Sequence, residues 1–334
     1  MKVLGCTTDP RSTASDFWEI CSNQLESLIV DYIDIPGLLQ MASENVDFFE
    51  NMKLIAIERM VGLEGFVQLE IARRCTNLET LKLQLFSLNK STVTVTDDFV
   101  RLIAADSWPK LRSLSYSGPK MSEKDVVSIL QSLKQCRQWY LPTSTFGSQS
   151  FLALKEHFST LVDLNVESYT GLSSEMTQEI LCSCSRLQVF RGDEIDARVI
   201  VEGKPWVCLS LQSLTIFIMA NSASAVTIPS SIGGFEHGDA VQGMGVKAKK
   251  AYNVQMLVFE QLSRLHKLST LKIGNNATSR QAFRHGLSLR LHNGLDMLGR
   301  LTAMEQLHFH GTYQTMEIGD IEWMLSRWTR LRSL

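Results

Sequence analysis

Nothing in this chain reads as a membrane span, because no apolar run approaches the roughly 18 residues that a bilayer helix needs. The opening, Met1-Lys2-Val3-Leu4-Gly5-Cys6-Thr7, turns polar at once and lacks the apolar core of a secretory signal. An excess of positive charge is missing too. The formal net charge is −2, which argues against nucleic acid or an anionic membrane as partner, since both select a basic surface. The seven cysteines are odd in number and form no paired framework. They are expected as reduced thiols in a cytoplasmic or nuclear protein, or one found in both places. In that setting the glycosylation triplets Asn89-Lys90-Ser91 and Asn276-Ala277-Thr278 carry little weight.

Signatures of catalysis are equally scarce. No G-x-G-x-x-G, G-x-x-x-x-G-K-[ST] or G-x-S-x-G is present, so neither a phosphate loop nor a nucleophile elbow is expected. Gly243-Met244-Gly245 with Lys247, Lys249 and Lys250 hints at an anion site, but its spacing is that of a flexible basic loop. His308-x-His310 places two imidazoles on one strand face without a third or fourth ligand, which favours a solvated or partner-contacting pair over a metal. Cys182-x-Cys184 lacks a second cysteine pair and reads as core. No cofactor, no metal and no catalytic residue is expected, so the chain is read as a non-enzyme.

What the chain does have is a repeat. Eleven times an apolar triplet recurs as Φ-x-x-Φ-x-Φ, about 26 residues apart. The anchors include Leu25/Leu28/Val30, Leu78/Leu81/Leu83, Leu111/Leu114/Tyr116, Leu187/Phe190/Gly192, Leu211/Leu214/Ile216 and Leu268/Leu271/Ile273. The second and third anchors stand two apart, so in a strand they share one face, the core face. Helical spacing precedes most anchors. Val126, Ile129, Leu130 and Leu133 form one stripe, Val254, Leu257, Val258, Gln261, Leu262 and Leu265 another, and Ile321, Met324, Leu325 and Trp328 a third. Ser122 with Asp125 reads as a capping box. Cys75 and Cys184 recur three residues before an anchor, as small buried groups at the helix-to-strand joint.

The predicted fold is α/β, a leucine-rich-repeat solenoid: a horseshoe with parallel strands on the concave face and helices on the convex face. A doubly wound enzyme would not hold one leucine register through so many strands. Residues 1–334 are read as a single array of about eleven repeats. The step from Leu211 to Leu268 is about two periods long, and Ala220 to Lys250, rich in Ala, Ser and Gly, is read as a flexible loop insertion. A shorter extra stretch runs from Asn275 to Arg284. The last anchor, Leu331/Leu334, stops on a strand position, so the chain is expected to be part of a longer protein.

Residues flanking the core anchors should face the concave surface. Candidates for partner binding are Lys82, Gln84, Ser115 and Tyr140; Asp163, Asn165, Glu167 and Arg191; and Thr215, Phe217, Lys272, His308 and His310. Hydroxyls, both charge signs and a few aromatics suit a protein partner better than a polyanion. The expected state is a monomer binding a protein target on this face.

Cys75-Thr76-Asn77-Leu78-Glu79-Thr80-Leu81-Lys82-Leu83 resembles the cysteine-containing class of leucine-rich repeats, and Thr170-Gly171-Leu172-Ser173 resembles that class's turn into its helix. Three segments between residues 205 and 331 resemble fungal, Mortierella-type F-box-like leucine-rich-repeat proteins. They are Pro205-Trp206-Val207-Cys208-Leu209-x-Leu211, Gln261-Leu262-x-x-Leu265-x-x-Leu268, and Gly294-Leu295-x-x-Leu298-x-x-Leu301 through Asp320-Ile321-Glu322-Trp323-Met324-Leu325. The resemblance implies a substrate receptor of a cullin-type ubiquitin ligase, whose repeats hold a target while an F-box docks to the ligase adaptor. An F-box occupies roughly 40–50 residues, below usual domain size. This chain enters its first anchor at Leu25, so the adaptor contact is expected only if an F-box exists outside it, and target binding without ubiquitin transfer if the F-box is lost. A scaffold or regulator unrelated to ubiquitin, for example of a small GTPase, is the alternative. An enzyme built on the Ala220–Lys250 loop is a third reading.

Overall fold

The computed structural model describes residues 3–5, 25–30, 49–57, 65–84, 92–118, 120–141, 144–167, 171–220, 246–274, 286–309 and 316–333. The fold is α/β with parallel strands, in two compact units: residues 1–157 with 165–171, and residues 158–164 with 172–334.

The first unit contains strands β1 (Val3–Gly5), β2 (Ser27–Val30), β3 (Leu54–Ile57), β4 (Thr80–Gln84), β5 (Ser113–Ser117) and β6 (Gln138–Tyr140). Helices α1 (Gly65–Arg74), α2 (Thr92–Ala104), α3 (Glu123–Ser132) and α4 (Ser148–Lys155) alternate with the later strands. All paired strands are parallel and follow chain order. Register puts Leu4, Leu28, Ile55, Leu81, Leu114 and Trp139 in one row across the six strands. Leu28, Ile55, Leu81 and Leu114 are buried to 2% exposure or less. Each such side chain contributes about 1.5–3 kcal/mol by leaving water. Strand β1 lies ahead of the first anchor, and the repeat count does not foresee it.

The second unit takes Asp163 and Leu164 from β7 (Asp163–Asn165), followed by β8 (Val189–Asp196), β9 (Ser213–Met219), β10 (Thr270–Ile273) and β11 (Gln306–Phe309). Its helices are α5 (Ser174–Ser183), α6 (Ala197–Glu202), α7 (Val246–Ser263) and α8 (Ile318–Arg327), with 3-10 turns at Leu291–Asn293 and Leu295–Arg300. Phe190, Leu214, Leu271 and Leu307 form its core row. Gly192 stands where an apolar third anchor is expected because the Phe190 ring folds over it. A Cβ there would meet the ring at 2.8 Å.

One turn recurs at the joints before the strands. The first anchor's N–H donates to the carbonyl three residues back, as in Leu111 to Trp108, Leu187 to Cys184, Leu211 to Cys208, Met304 to Leu301 and Leu331 to Trp328. The carbonyl just after the first anchor then accepts two N–H groups from the next strand's entry. Lys53, Glu79 and Arg112 do this in the first unit, and Val162, Gln188, Gln212, Ser269 and Glu305 in the second. The Glu305 carbonyl takes the Arg332 and Ser333 N–H groups, so the last anchor keeps the pattern as far as Ser333. Position three before the anchor is filled by buried Cys75, Trp108, Cys184, Cys208 and Trp328, as expected for Cys75 and Cys184.

Local signals behave as their chemistry requires. Ser122 Oγ accepts from the Asp125 N–H, and Asp125 Oδ2 accepts from the Ser122 N–H at 3.0 Å, completing the capping box on α3. Gly171 takes φ +108, and a Cβ there would meet the Phe146 carbonyl oxygen at 2.5 Å, so glycine is required in this turn. Ser173 then caps α5 by accepting from the Met176 N–H.

Two helical stripes differ from expectation, for one physical reason. In α8 Met324 and the following Trp328 are buried, whereas Ile321 and Leu325 are exposed, Leu325 at 56%. Asp320 is turned inward instead. Its Oδ2 meets Arg290 Nε at 2.8 Å and accepts from the Glu317 N–H, and its Oδ1 accepts from the Leu291 N–H at 2.9 Å. In α7 the buried face runs through Gln255, Val258, Phe259 and Leu262, leaving Leu257 exposed. Gln255 Nε2 donates to the Ser288 and Asn293 carbonyls, and its Oε1 accepts from the Ser288 N–H at 3.0 Å. A buried polar side chain sets the rotation of each helix. The insertion boundary also shifts: Ala220 is buried and Val246–Lys250 already belong to α7, while residues 221–245 and 275–285 lie outside the described residues.

Candidate functional site

Because side chains alternate along a strand, core rows on one face imply outward rows on the other. In the first unit Ile29, Ala56, Lys82, Ser115 and Tyr140 share one register position across β2–β6. The adjacent row is Ser27, Leu54, Thr80, Ser113 and Gln138. Lys82 and Gln138 are exposed, and Ser115 and Tyr140 are partly exposed. Gln84, next along β4 and paired with Ser117, is partly exposed, and its carbonyl accepts from Gln68 Nε2.

In the second unit Arg191, Thr215, Lys272 and His308 share one register position across β8–β11. Lys272 is exposed, and the other three are partly exposed. The parallel row is Val189, Ser213, Thr270 and Gln306. Asp163 on β7 reaches Arg191, with Oδ1 3.7 Å from Nη1, a loose surface pair worth no more than about 1 kcal/mol. Seven of the residues expected on the face thus fall into two register-aligned rows. Ser213 and Thr270 occupy the same repeat phase as Thr80 and Ser113, the signal by which they could have been named in advance.

Two expected face residues are corrected. Asn165 is buried at 5% exposure, because β7 ends there and its Oδ1 accepts from the Glu167 N–H at 3.0 Å. Glu167 itself is partly exposed. Phe217 is buried at 3% exposure. It has outward strand parity, but the chain at Gly286 closes on it, and a Cβ there would lie 3.8 Å from the ring. Between Arg191 and Glu194 the register of β8 against β9 shifts through a bulge, so exposed Glu194, not a sequence candidate, stands opposite Phe217. His310 lies outside the described residues.

The chemistry of the other candidates is quiet. Burial pushes the thiols of Cys136, Cys184 and Cys208 up to about 12 and that of Cys75 still higher, so all four stay protonated at neutral pH. Cys182 is shifted upward by partial burial, and its Sγ donates to the Lys204 carbonyl. Among the described residues no three His, Cys, Asp or Glu side chains converge as a metal site. No helix among them is long and apolar enough to cross a membrane. Comparison with known protein families finds no family that matches the chain, and comparison with curated proteins finds no match either.

Proposed function

We propose that this chain is a leucine-rich-repeat solenoid whose outward strand rows bind a protein partner. The observation that supports this is the register alignment of polar and aromatic side chains into continuous rows, Lys82–Ser115–Tyr140 in one unit and Arg191–Thr215–Lys272–His308 in the other. Side chains stacked across parallel strands make a broad, shallow surface, suited to another polypeptide and not to a small molecule that needs enclosure. The test places a photo-crosslinking residue at Ser115, at Thr215 and at the exposed helical Lys124, in the full chain in cells. Discrete crosslinked proteins are expected at the two strand positions and not at Lys124. Equal yield at all three would end this reading.

The resemblance of residues 205–331 to F-box-like proteins supports a narrower form of it, in which the bound protein is delivered to a cullin-type ubiquitin ligase. Affinity purification of the full-length protein should then recover the ligase adaptor. Partner binding without the adaptor leaves a scaffold or regulator unrelated to ubiquitin.

A further inference from the structure

The outward row of the second unit is more cationic than its counterpart. In the first unit the row Ile29–Lys82–Ser115–Tyr140, interrupted by buried Ala56, has one cation among apolar and hydroxyl groups. In the second, Arg191, Lys272 and His308 share a row with Thr215. Arg191 is opposed only loosely, by Asp163 at 3.7 Å. Lys272 has no ion pair among the described residues and is exposed. Beside the row run Ser213, Thr270 and Gln306, which can donate hydrogen bonds to peptide carbonyls. Acid bounds the patch on its other side, where Glu194 follows the β8 bulge.

We infer that this row receives an acidic peptide segment of the partner, with two carboxylates three residues apart. The inference rests on the reading of the strand face as a partner-binding surface. Spacing decides the register. Arg191 and Lys272 are separated by two strand steps of about 4.8 Å, close to 10 Å in all. A polyproline-II segment rises about 3.1 Å per residue with three residues per turn, so side chains at i and i+3 share a face about 9 Å apart. One carboxylate then meets the Arg191 guanidinium and the other the Lys272 ammonium. Glu194 repels further acid beyond the bulge, which disfavours a long polyacidic run and a nucleic-acid backbone alike.

The probes are fluorescein-labelled 12-residue Pro/Ser peptides with Glu at i and i+3, with Glu at adjacent positions, or with Lys at i and i+3, plus a single-stranded 12-nucleotide RNA. Fluorescence anisotropy with the full chain should rank the i,i+3 Glu peptide first. Lys272→Glu and Arg191→Glu should each weaken it roughly tenfold, Lys272→Gln less, and higher salt should weaken it throughout. Circular dichroism should show each variant folded, since both side chains face solvent. Equal binding of the Lys peptide, tighter binding of the RNA, or indifference to both reversals would overturn the acidic-peptide inference. The wider reading is judged separately: crosslinking at Thr215 that persists undiminished in Lys272→Glu leaves the face a binding surface and removes its acidic specificity.

Discussion

Trp108 holds its joint by two means at once: its ring fills the position three before an anchor, and its Nε1 donates to the Ala72 carbonyl at 2.8 Å. Trp328 does the same toward the Leu298 carbonyl, and Trp206, five residues before its anchor, donates to Gln178 Oε1. Each bond reaches back to an earlier segment of the same unit, so the indole couples neighbours where a leucine would only fill space. Trp108→Phe keeps most of the volume and removes the donor. It should cost about 1–3 kcal/mol in urea unfolding, from one buried hydrogen bond and a small void. A loss well under that range would show the bond to be incidental. His157 poses a pH question. Its Nε2 lies 2.9 Å from the Leu130 carbonyl, its ring meets Trp139 edge-on, and Lys134 and Glu156, paired with each other, lie nearby. Burial is the largest influence and holds the imidazole below its ordinary 6.5. The unfolded chain therefore takes up this proton first as pH falls. The contribution is complete above about pH 6.5 and is lost as pH drops from there toward the folded value. His157→Gln retains a donor and removes the titration. The gap in stability between wild type and variant should shrink from pH 7.5 to pH 5.5, and a constant gap would contradict the assignment.

Between elements, buried carboxamides join helices α5 and α7 to later stretches of the chain. Gln178 Nε2 donates to the Lys204 carbonyl, and Gln255 ties α7 to residues 288–293 with three hydrogen bonds. Gln255→Ala would leave the Ser288 N–H and two carbonyls short of partners, at about 1–3 kcal/mol for each group left buried. Hydrogen exchange should quicken through residues 286–293 before it does in β10, and uniform exchange there would mean the segment is held by its leucines alone. The same residues explain what the sequence did and did not make legible. Leucine anchors report strand position and parity directly, since a two-residue period with one buried face tolerates no slip. Helix phase follows from the sequence mainly through its apolar residues. Gln255 and Asp320 do not count in such a reading, yet both point inward, so α7 and α8 are turned away from their apolar stripes. The outward rows were legible as far as the strand alternation holds, through Lys82, Ser115, Thr215 and Lys272. They failed at Asn165, where β7 ends, and at Phe217, which a distant part of the chain covers.

At the scale of the whole molecule the question is whether stability is local, as stacked repeats require, or shared, as in a compact α/β domain. The joint hydrogen bonds described above stay within one joint or run from one strand entry to the next. Core rows such as Phe190–Leu214–Leu271–Leu307 likewise connect strands to immediate neighbours. If this chain is such an array, damage should fade with distance along the row. Leu214→Ala removes a fully buried side chain from the middle of the second unit and should cost about 2–5 kcal/mol. Native-state hydrogen exchange should accelerate most in β8, β9 and β10, less in β11, and little in β2–β5. Acceleration of equal size in every strand would instead mark one cooperative core and remove the repeat-array reading. Lys272→Glu is the matched control. It alters the same sheet on its exposed face, so it should change the binding of an acidic peptide and leave the exchange pattern as it was.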